Sequence, residues 1–319
     1  MIDIPANVTC KLSMPDAMHL YGHIKSNARH AKRVAHLDSH KGQSVAICGA
    51  GPTLADAKID RGVDWVWACN SALPYMWDRG DLVTHGFGID QGEAMLGPAE
   101  WGRALPVRYL LASSVSPKLV NILKHRHLTF FHSFLGIPEP PNWKPPEPGL
   151  AYEMWLYRTR YKPSVQVGHG LNSVPRAICL AIAMGFTRIV VYGADCACAV
   201  NSPPMPVLGT PEYEDWMHEL VIYADGRTAS VFGTDAVMAE AMIDGRRWHT
   251  RPDMVISARH MLDLCQKYPG RIELVGDTLP NVLGEQNQNF MDRLPALTGV
   301  GQVTGFGNAA LATALAEAV

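Results

Sequence analysis

The chain has 319 residues, of which 47% are hydrophobic and 18% charged, with a formal net charge of -2. Those proportions are those of a soluble globular protein large enough for one large domain or two small ones. The small net charge argues against a protein that coats nucleic acid, while leaving room for a local basic face.

No apolar run is long enough to cross a bilayer, and residues 1–20 lack a basic region followed by an apolar core, so neither a membrane span nor a signal peptide is expected. The seven cysteines are odd in number and scattered, several of them in apolar segments (Cys48, Cys69, Cys179). Reduced, buried thiols and a cytoplasmic setting follow as the expectation.

His23 to Lys41 reads as a helix carrying Lys25, Arg29, Lys32, Arg33, Lys41 and four histidines. Such a run is either a solvated outer face or a patch that meets phosphate. Ser44 to Cys48 is a short apolar strand that enters Gly49-Ala50-Gly51-Pro52-Thr53-Leu54. Two glycines there allow a tight turn and a close approach of backbone to a ligand, and Thr53 is placed to cap a following helix. Leu54 stands where a dinucleotide fingerprint has its third glycine, so a plain turn explains the loop as well.

Trp65 to Ala68, Leu82 to Phe87, Val107 to Leu111 and Leu128 to Phe131 are further strands, with helices through Met76 and over Lys118 to Lys124 between them. Polar residues recur where strands end: Thr53, Asn70, Asp90, Ser114 and Asp195. Gly136 to Gly149 is too proline-rich for regular structure and is a linker or a flap. Leu150 to Lys162 is aromatic and basic, and is read as surface or ligand-serving.

Val167 to Asp195 organises the chain: loop, helix, strand, acid. Asn172 or Ser173 caps the helix, Pro175 falls in its first turn and Gly185 stops it. Apolar residues on nearly every side predict a buried helix. Ile189 to Tyr192 then reads as a central parallel strand with Gly193-Ala194-Asp195 at its carboxyl end, where open sheets hold ligands. The small-residue loop Gly168 to Ser173 suits phosphate at a helix N-terminus. Beyond Asp195 the rhythm is lost. Cys196-Ala197-Cys198 has no second cysteine pair and is poor zinc evidence. Asp225-Gly226 is a hairpin turn, helix Met254 to Tyr268 and strand Ile272 to Val275 follow, and Ala309 to Val319 closes the chain as a helix.

The alternation predicts an α/β, Rossmann-like fold: a largely parallel sheet with helices on both faces and an irregular insertion after the Gly-Ala-Asp strand. The expected boundaries are a basic helical segment at 1–43, a nucleotide-binding domain at 44–285 (Pro-rich loop 136–149, insertion or lid 196–250) and a tail at 286–319.

ICGAGPTL (Ile47 to Leu54), VWACNSALPYMWDRGD with GFGID behind it (Val66 to Asp90) and GLNSVPRAICLAIAMGFTRIVVYGAD (Gly170 to Asp195) together resemble the archaeal 6-hydroxymethylpterin diphosphokinase-like family, whose relatives include motility-associated glycosylation proteins. They are also similar to bacterial sialyltransferases that use CMP-activated sugars. The resemblance implies that Gly49, Gly51, Pro52 and Thr53 form a nucleotide loop and that Asn70 contacts the donor. It places Gly170 and Ser173, with Asn172 between them, on the phosphate side, and Asp195 as the acid closing the strand. His249, ahead of Pro252-Asp253 and a long helix, is the nearest equivalent of the sialyltransferase general base. Cys196-Ala197-Cys198-Ala199 stands where those enzymes have aromatic residues.

Three functions compete. A glycosyltransferase would take a nucleotide-sugar donor, with His249 receiving the proton of a hydroxyl acceptor and Arg247 and Arg251 neutralising the leaving diphosphate. In that setting His249 is otherwise a surface residue among arginines. A diphosphokinase would use ATP and Mg²⁺, the metal held by Asp90 and Asp195, which are otherwise turn residues. A non-catalytic scaffold would bind a nucleotide or partner and do no chemistry. The basic segment makes a polyanionic or nucleic-acid acceptor an expectation to test, and an oligomer is compatible with the sequence.

Overall fold

The computed structural model describes residues 17–92, 104–136, 139–161, 165–168, 172–197, 199–200, 204–232, 238–243 and 245–285. In chain order the strands are β1 (Ser44–Cys48), β2 (Trp65–Cys69), β3 (His85–Gly88), β4 (Arg108–Ala112), β5 (Leu128–Ser133), β6 (Gln166–Val167), β7 (Arg188–Tyr192), β8 (Ala199–Val200), β9 (Ala239–Ile243), β10 (Arg246–Thr250) and β11 (Ile272–Leu274). The helices are α1 (Ala17–Ala28), α2 (Ala72–Arg79), α3 (Pro117–Leu123), α4 (Tyr152–Arg160), α5 (Ser173–Ala183), α6 (Pro211–Glu219), α7 (Pro252–Lys267) and α8 (Leu279–Glu285).

Eight strands form one parallel sheet in the order β11-β7-β1-β2-β3-β4-β5-β6. The central ones are apolar along their whole length because helices cover both faces. Ala46, Ile47, Trp67, Phe87, Leu111, Phe131 and Val191 are all buried. β8, β10 and β9 form a second, antiparallel sheet within the insertion. The expected α/β, Rossmann-like architecture is therefore present.

Helix α5 starts as the sequence indicates. Asn172 Oδ1 accepts from Val174 N at 3.2 Å, and Gly185 lies beyond the helix at φ +92°. Ala177, Ile178, Leu180 and Ala181 are fully enclosed, so the helix is a core element spanning β1, β2 and β3. Asp225-Gly226 makes the expected turn, with Val221 and Thr228 bridged antiparallel across it.

The basic segment departs from expectation. Helix α1 ends at Ala28, and the chain then runs extended so that Val34 bridges Phe130 of β5. Ala35 N donates to Phe130 O and Phe130 N to Arg33 O. Unpaired edge groups on β5 outweigh the helical preference of the Ala-Lys-Arg run. Nor is α1 an outer helix: Leu20, Tyr21 and Ile24 belong to the main core, and Asn27 Nδ2 donates to the carbonyls of Ser113 and Val115. The Ala309 to Val319 helix lies outside the described residues.

The sheet changes direction between β1 and β7. From β1 the chain steps one way through β2 to β6, then returns to the other side of β1 as β7. The turns that leave β1 and β7 touch. A Cβ on Gly49 would lie 2.4 Å from Gly193 O, and a Cβ on Gly193 would lie 2.4 Å from Gly49 O. These glycines let two backbones meet each other, where the sequence suggested a backbone meeting a ligand.

Gly49→Ala and Gly193→Ala are each expected to lower the unfolding free energy by about 1–3 kcal/mol through overpacking. The cost is greater at Gly193, whose φ of +60° also strains a side chain. Gly22→Ala, in helix α1 with nothing within 4 Å of the added carbon, is expected to stabilise by about 0.5–1 kcal/mol. Urea unfolding of the three variants checks this; equal losses in all three would refute the contact argument.

Candidate functional site

The carboxyl edge of the parallel sheet gathers Gly49 to Thr53, Asn70, Asp90, Gly193 to Asp195 and the start of α5. The two loops expected to converge do so: a Cβ on Gly49 would sit 2.9 Å from Val174 Cγ2, and Ser173 hydrogen-bonds the buried Cys69 thiol. Gly170 lies outside the described residues.

The amides of the first loop, however, are already bonded within the protein. Gly49 N donates to Tyr192 O at 2.8 Å and Gly51 N to Gly193 O at 2.9 Å. Thr53 N lies 3.3 Å from both Asp195 oxygens, and Thr53 Oγ1 donates to Asp195 Oδ2 at 2.9 Å. Pro52 has no amide hydrogen. The loop's carbonyls are engaged too. Ala50 O accepts from Ala224 N of the insertion, and Arg79 Nη1 donates to Leu54 O and Ala55 O. Gly49, Gly51 and Thr53 thus form a clasp between β1 and β7, with those three amides bonded within the protein. Thr53 caps no α-helix either; only a single 3-10 turn over Pro52–Leu54 follows.

Asp195 is 5% exposed, and burial pushes its carboxyl up to about 6 against the opposing pull of Thr53. Asp90 is partly enclosed just beyond β3, where Gly92 N donates to Oδ1 at 2.6 Å; burial raises its pKa and that hydrogen bond opposes the rise. The strands carrying these two acids are separated by β1 and β2. Three interstrand spacings, roughly 14 Å, separate those strands. The described residues contain no group of three or more His, Cys, Asp or Glu side chains that could hold a metal ion.

His249 sits on β10 with no solvent exposure, contrary to the surface alternative. Its Nε2 is 3.1 Å from Glu240 Oε2, and its ring meets Trp216 at 4.8 Å in an edge arrangement. Burial lowers its pKa while Glu240 opposes the shift. Arg247 lies 3.3 Å from the same Glu240 oxygen, and Arg251 pairs with Asp253 at 2.9 Å. Each of these cations is answered by a carboxylate in its own segment.

Asn70 is different. It follows β2 at φ +49°, a left-handed conformation that asparagine tolerates better than most residues. Its backbone is fixed by Asn70 N to Phe87 O and Leu73 N to Asn70 O, both at 3.1 Å. Its Oδ1 is shielded from solvent and has no hydrogen-bond donor among the described residues. A buried acceptor left without a donor costs about 1–3 kcal/mol, so the position calls for a functional account.

The sequence reading missed one group. Ser113 Oγ lies 2.8 Å from His132 Nδ1, and His132 Nε2 lies 3.0 Å from Glu153 Oε1. Leu135 N donates to the same Glu153 oxygen at 2.9 Å. Arg176 of α5 is also buried; desolvation lowers it to about 10 and the Glu153 charge opposes the shift. All four are buried. Only a histidine inside the apolar strand LTFFHS hinted at it.

No family model matches this sequence, and no curated protein matches it. Among solved structures the chain is similar to the MAf glycosyltransferase from Magnetospirillum magneticum AMB-1, with 11% sequence identity and a TM-score of 0.50. The match covers 89% of this chain and 42% of that one, so the chain spans less than half of that protein's length. At this identity the likeness is one of fold.

Asp195→Asn tests the clasp. Because the folded pKa is raised, protonation favours the native state, and the stabilisation present below pH 4 is lost as pH rises through about 6. The variant is expected to match the wild type below pH 4 and to exceed it by on the order of 2 kcal/mol at pH 7. Chemical denaturation at both pH values checks it; a deficit at pH 7 would show the ionised clasp to be stabilising.

Proposed function

We propose that the protein is a glycosyltransferase that binds a nucleotide-activated sugar over the carboxyl ends of β2 and β3. The observation that carries this is Asn70: a strained residue presenting a shielded, unanswered acceptor beside Asp90 and the N-terminus of α5. A ribose hydroxyl or a base amino group supplies the missing donor. The start of α5 carries positive partial charge and favours the donor's phosphates. The similarity to a MAf glycosyltransferase supports the choice among transferases.

In this reading an acceptor hydroxyl attacks the anomeric carbon of the donor. The bond to the donor phosphate breaks, and the electron pair leaves with the nucleotide. Asp90 takes the hydroxyl proton; a carboxyl with a raised pKa is the better base for this task. His249, enclosed and held by Glu240, serves the insertion's packing instead.

Thermal shift with CMP-, UDP- and GDP-sugars and with ATP, each with and without Mg²⁺, is expected to show stabilisation by a nucleotide-sugar without a metal requirement. Asn70→Ala is expected to abolish that shift. Asp90→Asn is expected to leave it intact and cut turnover on the order of a hundredfold. Stabilisation by Mg-ATP alone would sink the proposal, as would wild-type turnover in Asp90→Asn.

A further inference from the structure

A second concavity lies at the other end of the strands. It is a groove of about 690 Å³ floored by the amino-terminal ends of β2 to β5. Trp67, His85 and Arg108 are register neighbours, and Arg108 lies beside His127. Trp65 opens the same face. Trp65 and Asn70 are five residues apart, roughly 16 Å along the strand, so the groove is separate from the carboxyl-edge site.

Its charge is one-sided. Lys32, Arg33, Arg108 and Arg160 line it, and among the described residues no Asp or Glu does. All four cations are exposed. The nearby carboxylates are engaged elsewhere: Asp64 Oδ2 accepts from Ser44 N at 2.7 Å and Ser44 Oγ at 2.8 Å, and Asp38 pairs with Lys41 at 3.0 Å. Arg33 Nη1 donates to His127 Nδ1, which orients the guanidinium, and Arg108 stacks over Trp65 at 5.5 Å. His85 on the floor is held neutral, its pKa lowered to about 3 by burial and then by Arg108. In a chain of net charge -2, four cations around one basin without a carboxylate partner among the described residues are a local exception.

We propose that this groove binds a small ligand carrying a chain of phosphoryl groups. The volume is that of a small-molecule site. Arg33, beside Phe130 of β5, and Arg108 on β4 are two strand spacings apart, about 10 Å. Four cations around one groove are more than a single phosphate pairs with, whereas a polyphosphate engages several at once. Guanidinium groups match phosphate oxygens in a forked geometry, and the apolar, neutral floor strengthens their field. The proposal is independent of the glycosyltransferase reading.

The test is calorimetric titration of the full chain with sodium tripolyphosphate. Binding is expected at low ionic strength and about tenfold weaker once salt is raised to screen exposed charge. Orthophosphate is expected to bind at least about tenfold more weakly. The double variant Arg33→Ala, Arg108→Ala is expected to lose binding about tenfold or more, with Arg108→Lys retaining most of it. Asn70→Ala, at the other site, is expected to bind as the wild type does. The control pair Lys58→Ala, Arg61→Ala, exposed on the β1–β2 connection, is expected to have no effect. No binding of tripolyphosphate, or an equal loss in the control pair, would overturn the proposal. So would a single-stranded oligonucleotide whose affinity exceeds tripolyphosphate and rises with length.

Discussion

The contact between Gly49 and Gly193 governs much of this structure. Two turns leave neighbouring parallel strands and run in opposite directions, and their backbones pass too closely for any side chain. Once that approach is made, the hydrogen bonds follow. The β1 turn gives its amides to β7 carbonyls and to Asp195, and Asp195 passes the connection on, its own carbonyl accepting from Leu279 N at the start of α8. The insertion is anchored at the same point through Ala224 and Ala50. A crevice at the direction change is where open sheets ordinarily take ligands. Here the turn amides are bonded within the protein, and an acceptor without a donor among the described residues appears one strand further on, at Asn70.

How far this was readable from sequence follows from burial. Strands covered on both faces must be apolar throughout, so SVAIC, WVWAC and RIVVY announce themselves. Helix α5 has its cap, its stop and its apolar faces in plain view. A glycine pair is less informative: it reveals that backbone freedom is needed and not what comes close. Ligand and neighbouring turn ask for the same residue. Asp195 and Thr53 are 142 positions apart, and nothing local tells Thr53 that its partner is a carboxylate on another strand rather than the helix it precedes.

Charged residues misled for a related reason. In the segment after Ala28, charge density suggests a solvated helix, yet Arg33 and Ala35 complete hydrogen bonds that β5 would otherwise leave open. In HTRPD, the histidine sits among arginines, yet β10 turns it inward onto Glu240 and Trp216. Glu153 lies in an aromatic, basic run that reads as surface, but it is 1% exposed. Each of these was decided by a long-range partner, and pattern along the chain carries no record of such partners.

The buried Ser113, His132, Glu153 and Arg176 group then acquires a physical meaning. Burying ionisable groups is costly, and an ion pair seldom recovers more than the desolvation it incurs. What the arrangement does provide is position. It joins β4, β5, α4 and α5, four elements whose apolar surfaces alone would tolerate sliding. Arg176 lies one turn into α5, and the attraction of its charge to Glu153 favours one rotation of that helix about its axis. That rotation decides where Asn172 and Ser173 stand relative to Cys69 and Asn70. A core of leucine and valine could hold α5 in place as firmly; a directional polar chain also sets which way its first turn faces.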